Sequence, residues 1–114
     1  MKGALGLMGT RIKIATLGEM VPGTCRQVAA AGRVFAVFNV AGTIHAIGGT
    51  CTHRGGPLGD GKLDGTVVTC PWHGARFDVR TGQVLGPPAG QDVPAYKVVL
   101  EGEDIEVDVS EGAT

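Results

Sequence analysis

The sequence predicts an all-β domain, a sandwich or barrel of short antiparallel strands. Two observations carry that prediction. Short runs of alternating or β-branched apolar residues recur along the chain, with turn signals at intervals of roughly eight to twelve residues. Helical periodicity is scarce, and the 20 glycines among 114 residues follow no fixed period, so they read as punctuation between short elements.

The elements follow in order. Arg11 to Leu17 (RIKIATL) sets Ile12 and Ile14 on one face of a strand. Glu19 to Thr24 is a turn marked by Pro22-Gly23. Arg33 to Val40 (RVFAVFNV) is rich in β-branched and aromatic residues. Ala41-Gly42 separates it from Thr43 to Ile47, which predicts a hairpin. Thr66 to Thr69 leads straight into Cys70. Ala75 to Val79 follows His73, and Thr81-Gly82 turns the chain into Gln83 to Leu85. Tyr96 to Leu100 and Asp104 to Val109 flank a turn at EGE. In the last strand Ile105, Val107 and Val109 alternate with Glu106 and Asp108, which predicts one buried face and one wet face.

A chain of 114 residues suits one domain with one modest core and leaves little for a second. Net charge is −1 and no basic stripe is present, so nucleic acid is not expected as a partner. No apolar stretch approaches the roughly 18 residues of a transmembrane helix, so no membrane span is expected. The start, MKGALGLMG, has one lysine and a short apolar run, but glycines break the run and no small-residue cleavage site follows. Residues 1–10 therefore read as a flexible N-terminus, residues 110–114 as a tail, and the cytoplasm as the default location.

The chemistry concentrates in residues 51–74, CTHRGGPLGDGKLDGTVVTCPWHG, which hold two of the three cysteines and two of the three histidines. They form two pairs, Cys51-x-His53 and Cys70-x-x-His73, with sixteen residues between. Three cysteines cannot all be paired in disulfides, and close Cys/His spacing reads as a metal site in a reducing compartment. Two thiolates and two imidazoles suit zinc or an iron–sulfur cluster. A structural zinc finger usually pairs Cys with Cys and His with His, the latter on a helix. Here each half-site is mixed, and both lie in glycine-rich loops on either side of TVVTC. A hairpin can bring the two loop tips together.

These pairs resemble the Rieske [2Fe–2S] signature, Cys-x-His followed about sixteen residues later by Cys-x-x-His. Gly55, Pro57 and Leu58 after the first pair, Gly74 after the second, FDVRTG at Phe77 to Gly82, and Gly86-Pro87-Pro88 are similar to the family as well. The likeness spans roughly residues 11–109. It implies a Rieske-like fold of stacked antiparallel sheets, with a two-loop cluster-binding subdomain at about residues 49–90. It further implies one [2Fe–2S] cluster per chain, with Cys51 and Cys70 on one iron and His53 and His73 on the other. Gly86-Pro87-Pro88 would then shield the cluster from a third side. Plainer readings stand beside these. The prolines can serve only to stiffen turns and the glycines only to permit positive φ. Trp72 fits equally as core packing or as a cover for the cluster.

Departures from the family pattern bear on redox chemistry. Two ferric ions, two sulfides, two thiolates and two neutral imidazoles sum to zero charge. Rieske potentials span roughly −150 to +300 mV, against about −400 mV for plant-type ferredoxins. Respiratory-chain members of the family carry an extra cysteine in each loop, and these form a disulfide. The matching places here hold Gly56 and Trp72. Those proteins also have a Ser and a Tyr that donate hydrogen bonds to sulfur, where this chain has Ala75 and Phe77. Losing such donors disfavours the more negative, reduced state, so a potential at the low end of the range is expected.

The resemblance is greatest to the small ferredoxins that pass electrons from a flavoprotein reductase to a terminal aromatic-ring-hydroxylating oxygenase. It implies a soluble, monomeric electron carrier that is not itself an enzyme, with that reductase and that oxygenase, or another redox enzyme, as partners. Catalytic oxygenase chemistry is opposed by histidine arithmetic. A two-His-one-carboxylate site needs two further histidines, and only His45 remains. The alternative is a small subunit of a nitrite reductase or other redox complex, a class whose members often lack the ligands this chain keeps. A quinol-oxidising subunit is opposed by the missing anchor and disulfide cysteines. Of the leftover residues, Cys25 reads as a packed free thiol and His45 as a plain strand histidine. Glu101, Glu103, Asp104, Glu106, Asp108 and Glu111 read as a solvated strand face with some capacity to steer a basic partner.

Overall fold

The computed structural model describes residues 11–52, 54–72, 74–87 and 90–109. Residues 1–10 and 110–114, His53, His73, Pro88 and Ala89 lie outside the described residues, and with them the expected flexible N-terminus and tail, the two histidine ligands and part of the Gly86-Pro87-Pro88 shield. The strands are β1 (Arg11–Thr16), β2 (Cys25–Ala30), β3 (Arg33–Val40), β4 (Thr43–Gly48), β5 (Lys62–Asp64), β6 (Val67–Thr69), β7 (Arg76–Asp78), β8 (Val84–Gly86), β9 (Ala95–Glu101) and β10 (Asp104–Asp108). They form a six-stranded sheet in the order β1-β10-β9-β4-β3-β2 and a four-stranded sheet in the order β5-β6-β7-β8. Every strand pairing is antiparallel. The all-β, stacked-sheet expectation therefore holds.

The β3–β4 hairpin explains the layering. Phe35 and Val37 point to one side of β3, and Ala36 and Phe38 to the other; none is solvent-accessible. A strand covered on both faces reads as a continuous apolar run, as RVFAVFNV does. On one side Phe35, Val37, Ile44 and Ala46 pack with Ile14, Met20, Ile105 and Val107. The sheet curls around this cluster until its edge strands β1 and β2 touch. On the other side Ala36, Phe38 and Ile47 pack with Leu58, Val68, Phe77, Val79 and Val93, and with Cys51 and Cys70. The chain thus supports two apolar clusters where its length suggested room for one. It does so because one hairpin serves as a wall for both.

Both hairpins of this wall have two-residue turns with positive φ throughout. Ala31-Gly32 joins β2 to β3 at φ 53° and 75°, and Ala41-Gly42 joins β3 to β4 at φ 51° and 98°. These are the twist-matched primed turns of tight hairpins. The buried Asn39 braces the second turn. Its side-chain nitrogen donates to the Met20 carbonyl at 2.6 Å, and its oxygen accepts from Gly42 N–H at 2.7 Å.

Three local expectations are corrected. Leu17 and Glu19 belong to a 3-10 turn at Leu17–Glu19, in which the Glu19 carboxylate accepts from Thr16 N–H at 2.9 Å. β2 and β5 had no counterpart in the sequence reading: Arg26 and Gln27 break the apolar pattern of β2, and β5 is only three residues long. The face of β10 opposite its buried Ile105 and Val107 is not simply solvated. Glu106 pairs with Arg11 at 3.6 Å and Asp104 with Lys13 at 3.2 Å, and Arg11 also reaches Glu101 at 3.8 Å. Such exposed pairs add little stability, but two cations, Arg11 and Lys13, offset part of the negative charge that was expected to steer a basic partner. Among the described residues, no helix is long and apolar enough to cross a membrane.

Candidate metal centre

Two loops carry the predicted ligand pairs. The first leaves β4 and is closed at its neck by an isolated bridge between Thr50 and Pro57. The second connects β6 to β7. Internally they are built alike. Cys51 N–H donates to the Gly56 carbonyl at 2.9 Å, and Gly55 N–H donates to the Cys51 carbonyl at 2.9 Å. In the second loop Cys70 N–H donates to the Ala75 carbonyl at 2.7 Å, and Gly74 N–H to the Cys70 carbonyl at 3.1 Å. Gly55 and Gly74 hold equivalent places and both lie in the left-handed region, at φ 78° and 81°. Glycine is favoured there because a Cβ would be strained.

The two loops meet. A Cβ built on Gly56 would lie 2.6 Å from Cys70 Sγ and 3.1 Å from Trp72 Cγ. Only glycine lets the first loop's backbone approach the second loop's thiol and indole so closely. Gly56 and Trp72 are the two places matched above to the disulfide cysteines, and they face each other. Cys51 and Cys70 are each 3% exposed. Trp72 is 56% exposed, so the core-packing reading of Trp72 is set aside in favour of a cover over Gly56. Ala75 and Phe77 are fully buried in the apolar cluster that holds both cysteines, and neither offers a hydroxyl to sulfur.

Further contacts brace the site. The Arg76 guanidinium lies against Gly86, where a Cβ would come within 2.5 Å of Nη2. Thr52 Oγ1 donates to the Gln91 carbonyl at 2.7 Å, which ties the first loop to the segment after the Gly86-Pro87 turn. Asp78, 8% exposed, organises the FDVRTG run. Its carboxylate accepts from Arg80 N–H at 2.8 Å, Nε at 3.1 Å and Nη2 at 2.8 Å. Those bonds hold the Asp78 carboxyl below its ordinary range, against the effect of burial. Gly82 N–H donates to the Asp78 carbonyl at 2.7 Å.

Two remaining residues lie on strands rather than on the two loops. His45 lies on β4 within electrostatic reach of Asp78 and Arg80. Burial lowers its pKa, Arg80 adds to that lowering and Asp78 opposes it. Cys25 is a half-buried free thiol packed against the loop-side cluster. Burial raises its pKa, while a hydrogen bond with the Leu63 backbone opposes the rise. One residue escaped the sequence reading. Gln27, on β2, donates from Nε2 to the Gly49 carbonyl at 2.8 Å and accepts from Gly59 N–H at Oε1 at 2.6 Å. A lone glutamine in an irregular strand gives no sequence signal.

The donor set fits a thiolate-bound metal group. Two nearly inaccessible sulfurs come from two facing loops of the same construction and share one apolar cluster. The sequence matches the family model described as "Rieske [2Fe-2S] domain" over residues 10–97. The chain belongs to the Rieske [2Fe–2S] domain family. It is 39% identical over 105 residues to the biphenyl dioxygenase ferredoxin subunit of Pseudomonas sp. (strain KKS102), covering 91% of this chain and 96% of that one. It is 36% identical over 99 residues to the ferredoxin component of the naphthalene 1,2-dioxygenase system of Pseudomonas aeruginosa, covering 87% and 95%. Among solved structures it is similar to the ferredoxin of carbazole 1,9a-dioxygenase from Nocardioides aromaticivorans IC177. That match has a TM-score of 0.81 at 32% identity and covers 86% of this chain and 96% of that one. As a Rieske protein the chain carries one [2Fe–2S] cluster, which when bound supplies a reversible one-electron site. The two curated relatives named above, which this chain matches nearly end to end, are ferredoxin components, and this chain is likewise an electron carrier rather than a catalyst.

Proposed function

We propose that this Rieske ferredoxin passes single electrons from a flavoprotein reductase to the terminal oxygenase of an aromatic-ring-hydroxylating system. The observation that carries the reading is near end-to-end similarity to ferredoxin components named for such systems. A second similar structure, with a TM-score of 0.81 at 33% identity, is titled a complex of reduced oxygenase and oxidised ferredoxin in carbazole 1,9a-dioxygenase. These relatives favour the carrier over a nitrite reductase small subunit. Residues 11–109 form the working domain, with about 49–90 as its cluster-binding part. The chain acts as a monomer in the cytoplasm.

In this reading Cys51 and Cys70 ligate one iron, and His53 and His73 the other. The protein's own part is to hold and screen. The matched loop closures fix the two cysteines, Gly56 leaves room beside Cys70, and Trp72 covers that approach on the exposed side. Buried Ala75 and Phe77 withhold hydroxyl donors from the sulfurs, which supports a potential toward the low end of the roughly −150 to +300 mV Rieske range. Reconstitution with a ring-hydroxylating reductase and oxygenase tests the carrier role, with product formation expected only when all three proteins are present. Redox titration followed by EPR tests the potential; a midpoint well above +100 mV on that scale is incompatible with it. A colourless protein with stoichiometric zinc and no iron overturns the whole reading.

A further inference from the structure

We infer that Gln27 is a positioning residue of the metal centre: its carboxamide clamps the neck of the first loop and sets the placement of the segment bearing Cys51 and His53. The inference rests on the proposed ligand assignment. A carboxamide carries a donor and an acceptor at one end of a single side chain. Gln27 spends the donor on Gly49, before Cys51, and the acceptor on Gly59, after the loop has returned. The two ends of the loop are thereby joined through one residue of another strand.

The surroundings show that the seam is tight. A Cβ on Gly59 would lie 2.5 Å from the Arg26 carbonyl oxygen and from the Gln27 backbone nitrogen. One on Gly49 would lie 2.7 Å from Val34 Cγ1 and 2.9 Å from Gln27 Nε2. The loop neck is therefore pressed onto β2 and β3 with the carboxamide inside the contact. Leu58, fully buried beside it, donates its N–H to the same Gly49 carbonyl at 3.0 Å. An apolar side chain of similar size at position 27 would fill the space but leave part-buried polar groups of Gly49 and Gly59 without this partner. The second loop does not depend on such a clamp, because the β6–β7 ladder, with Thr69 opposite Arg76 and Val68 opposite Phe77, closes its neck through backbone.

The test compares iron-loaded full-length wild type, Gln27→Leu and Gln27→Glu. Hydrogen exchange is followed by mass spectrometry in peptides covering 49–59 and 69–76. These contain the matched amides of Cys51 and Gly55 on one side and of Cys70 and Gly74 on the other. Gln27→Leu is expected to speed exchange in the first peptide about tenfold or more, the effect of losing two part-buried hydrogen bonds. The second peptide and β9–β10 are expected to stay within about twofold of wild type, well below that tenfold change. Release of iron to a chelator is expected to quicken, and the EPR g-values of the reduced protein to shift. Gln27→Glu keeps the acceptor for Gly59 but loses the donor to Gly49, and is expected to fall between the other two. If Gln27→Leu does not fold, the same ordering between wild type and Gln27→Glu decides. Equal exchange in both peptides with unchanged EPR and iron release overturns the role of Gln27 alone. A wild type that binds no iron overturns the ligand assignment, and this role with it.

Discussion

The loop that begins at Cys51 and the loop that begins at Cys70 share one internal design and differ in how they are held. Each closes with the same two hydrogen bonds and a left-handed glycine at the same place. The second rests on a hairpin, so backbone pairing alone fixes it. The first spans from the large sheet to the small one and depends on a bridge at Thr50–Pro57, a buried Leu58 and the side chain of Gln27. The difference separates two tasks. Local sequence shapes a loop around its cysteine, whereas the strands it connects decide where that cysteine stands. A metal group bound across both loops has one side held by secondary structure and the other by side-chain contacts.

Removing a sulfur tests the pair most severely. Cys70→Ser is expected to abolish cluster assembly and to loosen both loops more than β1, β9 and β10, read as iron content and hydrogen exchange. Loop protection equal to wild type in that variant would show that the loops stand without the metal. Next in size is Gly56→Ala. Its methyl would sit 2.6 Å from Cys70 Sγ, so iron occupancy is expected to fall and stability to drop by about 1–3 kcal/mol through overpacking. Chemical denaturation with iron assay measures both.

A finer comparison sets Gly55→Ala against Gly74→Ala. Neither site has a close clash, the nearest atom to a Gly55 Cβ being Thr50 Cγ2 at 3.8 Å. Each variant is thus expected to cost only the left-handed backbone penalty, about 1–2 kcal/mol. Near-equal losses in denaturant titrations would support the shared design; a difference of several kcal/mol would break it. The smallest effect concerns pH. His45 has a folded pKa below its ordinary value of about 6.5. The unfolded chain therefore takes up the proton first, and stability falls as pH drops below about 6.5 toward the folded value. His45→Gln is expected to flatten that part of the stability–pH curve, measured by denaturation between pH 5 and pH 7.5. A slope unchanged by the substitution would assign it elsewhere.

Much of this was legible in the sequence for physical reasons. The β3–β4 hairpin showed because Ala41-Gly42 punctuates two apolar runs, and the loops showed because mixed Cys/His pairs are rare and sit among glycines. β2 stayed hidden because it is an edge strand whose Arg26 pairs with Glu19 and whose Gln27 answers to the first loop's neck rather than to a core. β5 is too short to carry a period. Two apolar clusters went unseen because nothing in a single strand reveals that both of its faces are covered. Gln27 joins backbone groups that are remote along the chain, and no local pattern encodes such a partner. The correspondence of Gly56 and Trp72 to the two disulfide cysteines of respiratory-chain members did appear in the sequence, but only as a likeness. Their facing placement needed three dimensions.

The two tight turns at Ala31-Gly32 and Ala41-Gly42 have a consequence for how this protein can change. An alanine at φ near 50° carries a penalty of roughly 1–2 kcal/mol that asparagine or glycine largely avoids. Both alanines are solvent-exposed, and neither is in the metal loops. They amount to headroom: a lineage, or an engineer, can relax either corner by a single replacement and then tolerate a costly experiment at the loops. Redox properties can drift in this scaffold without the fold being the first thing to fail.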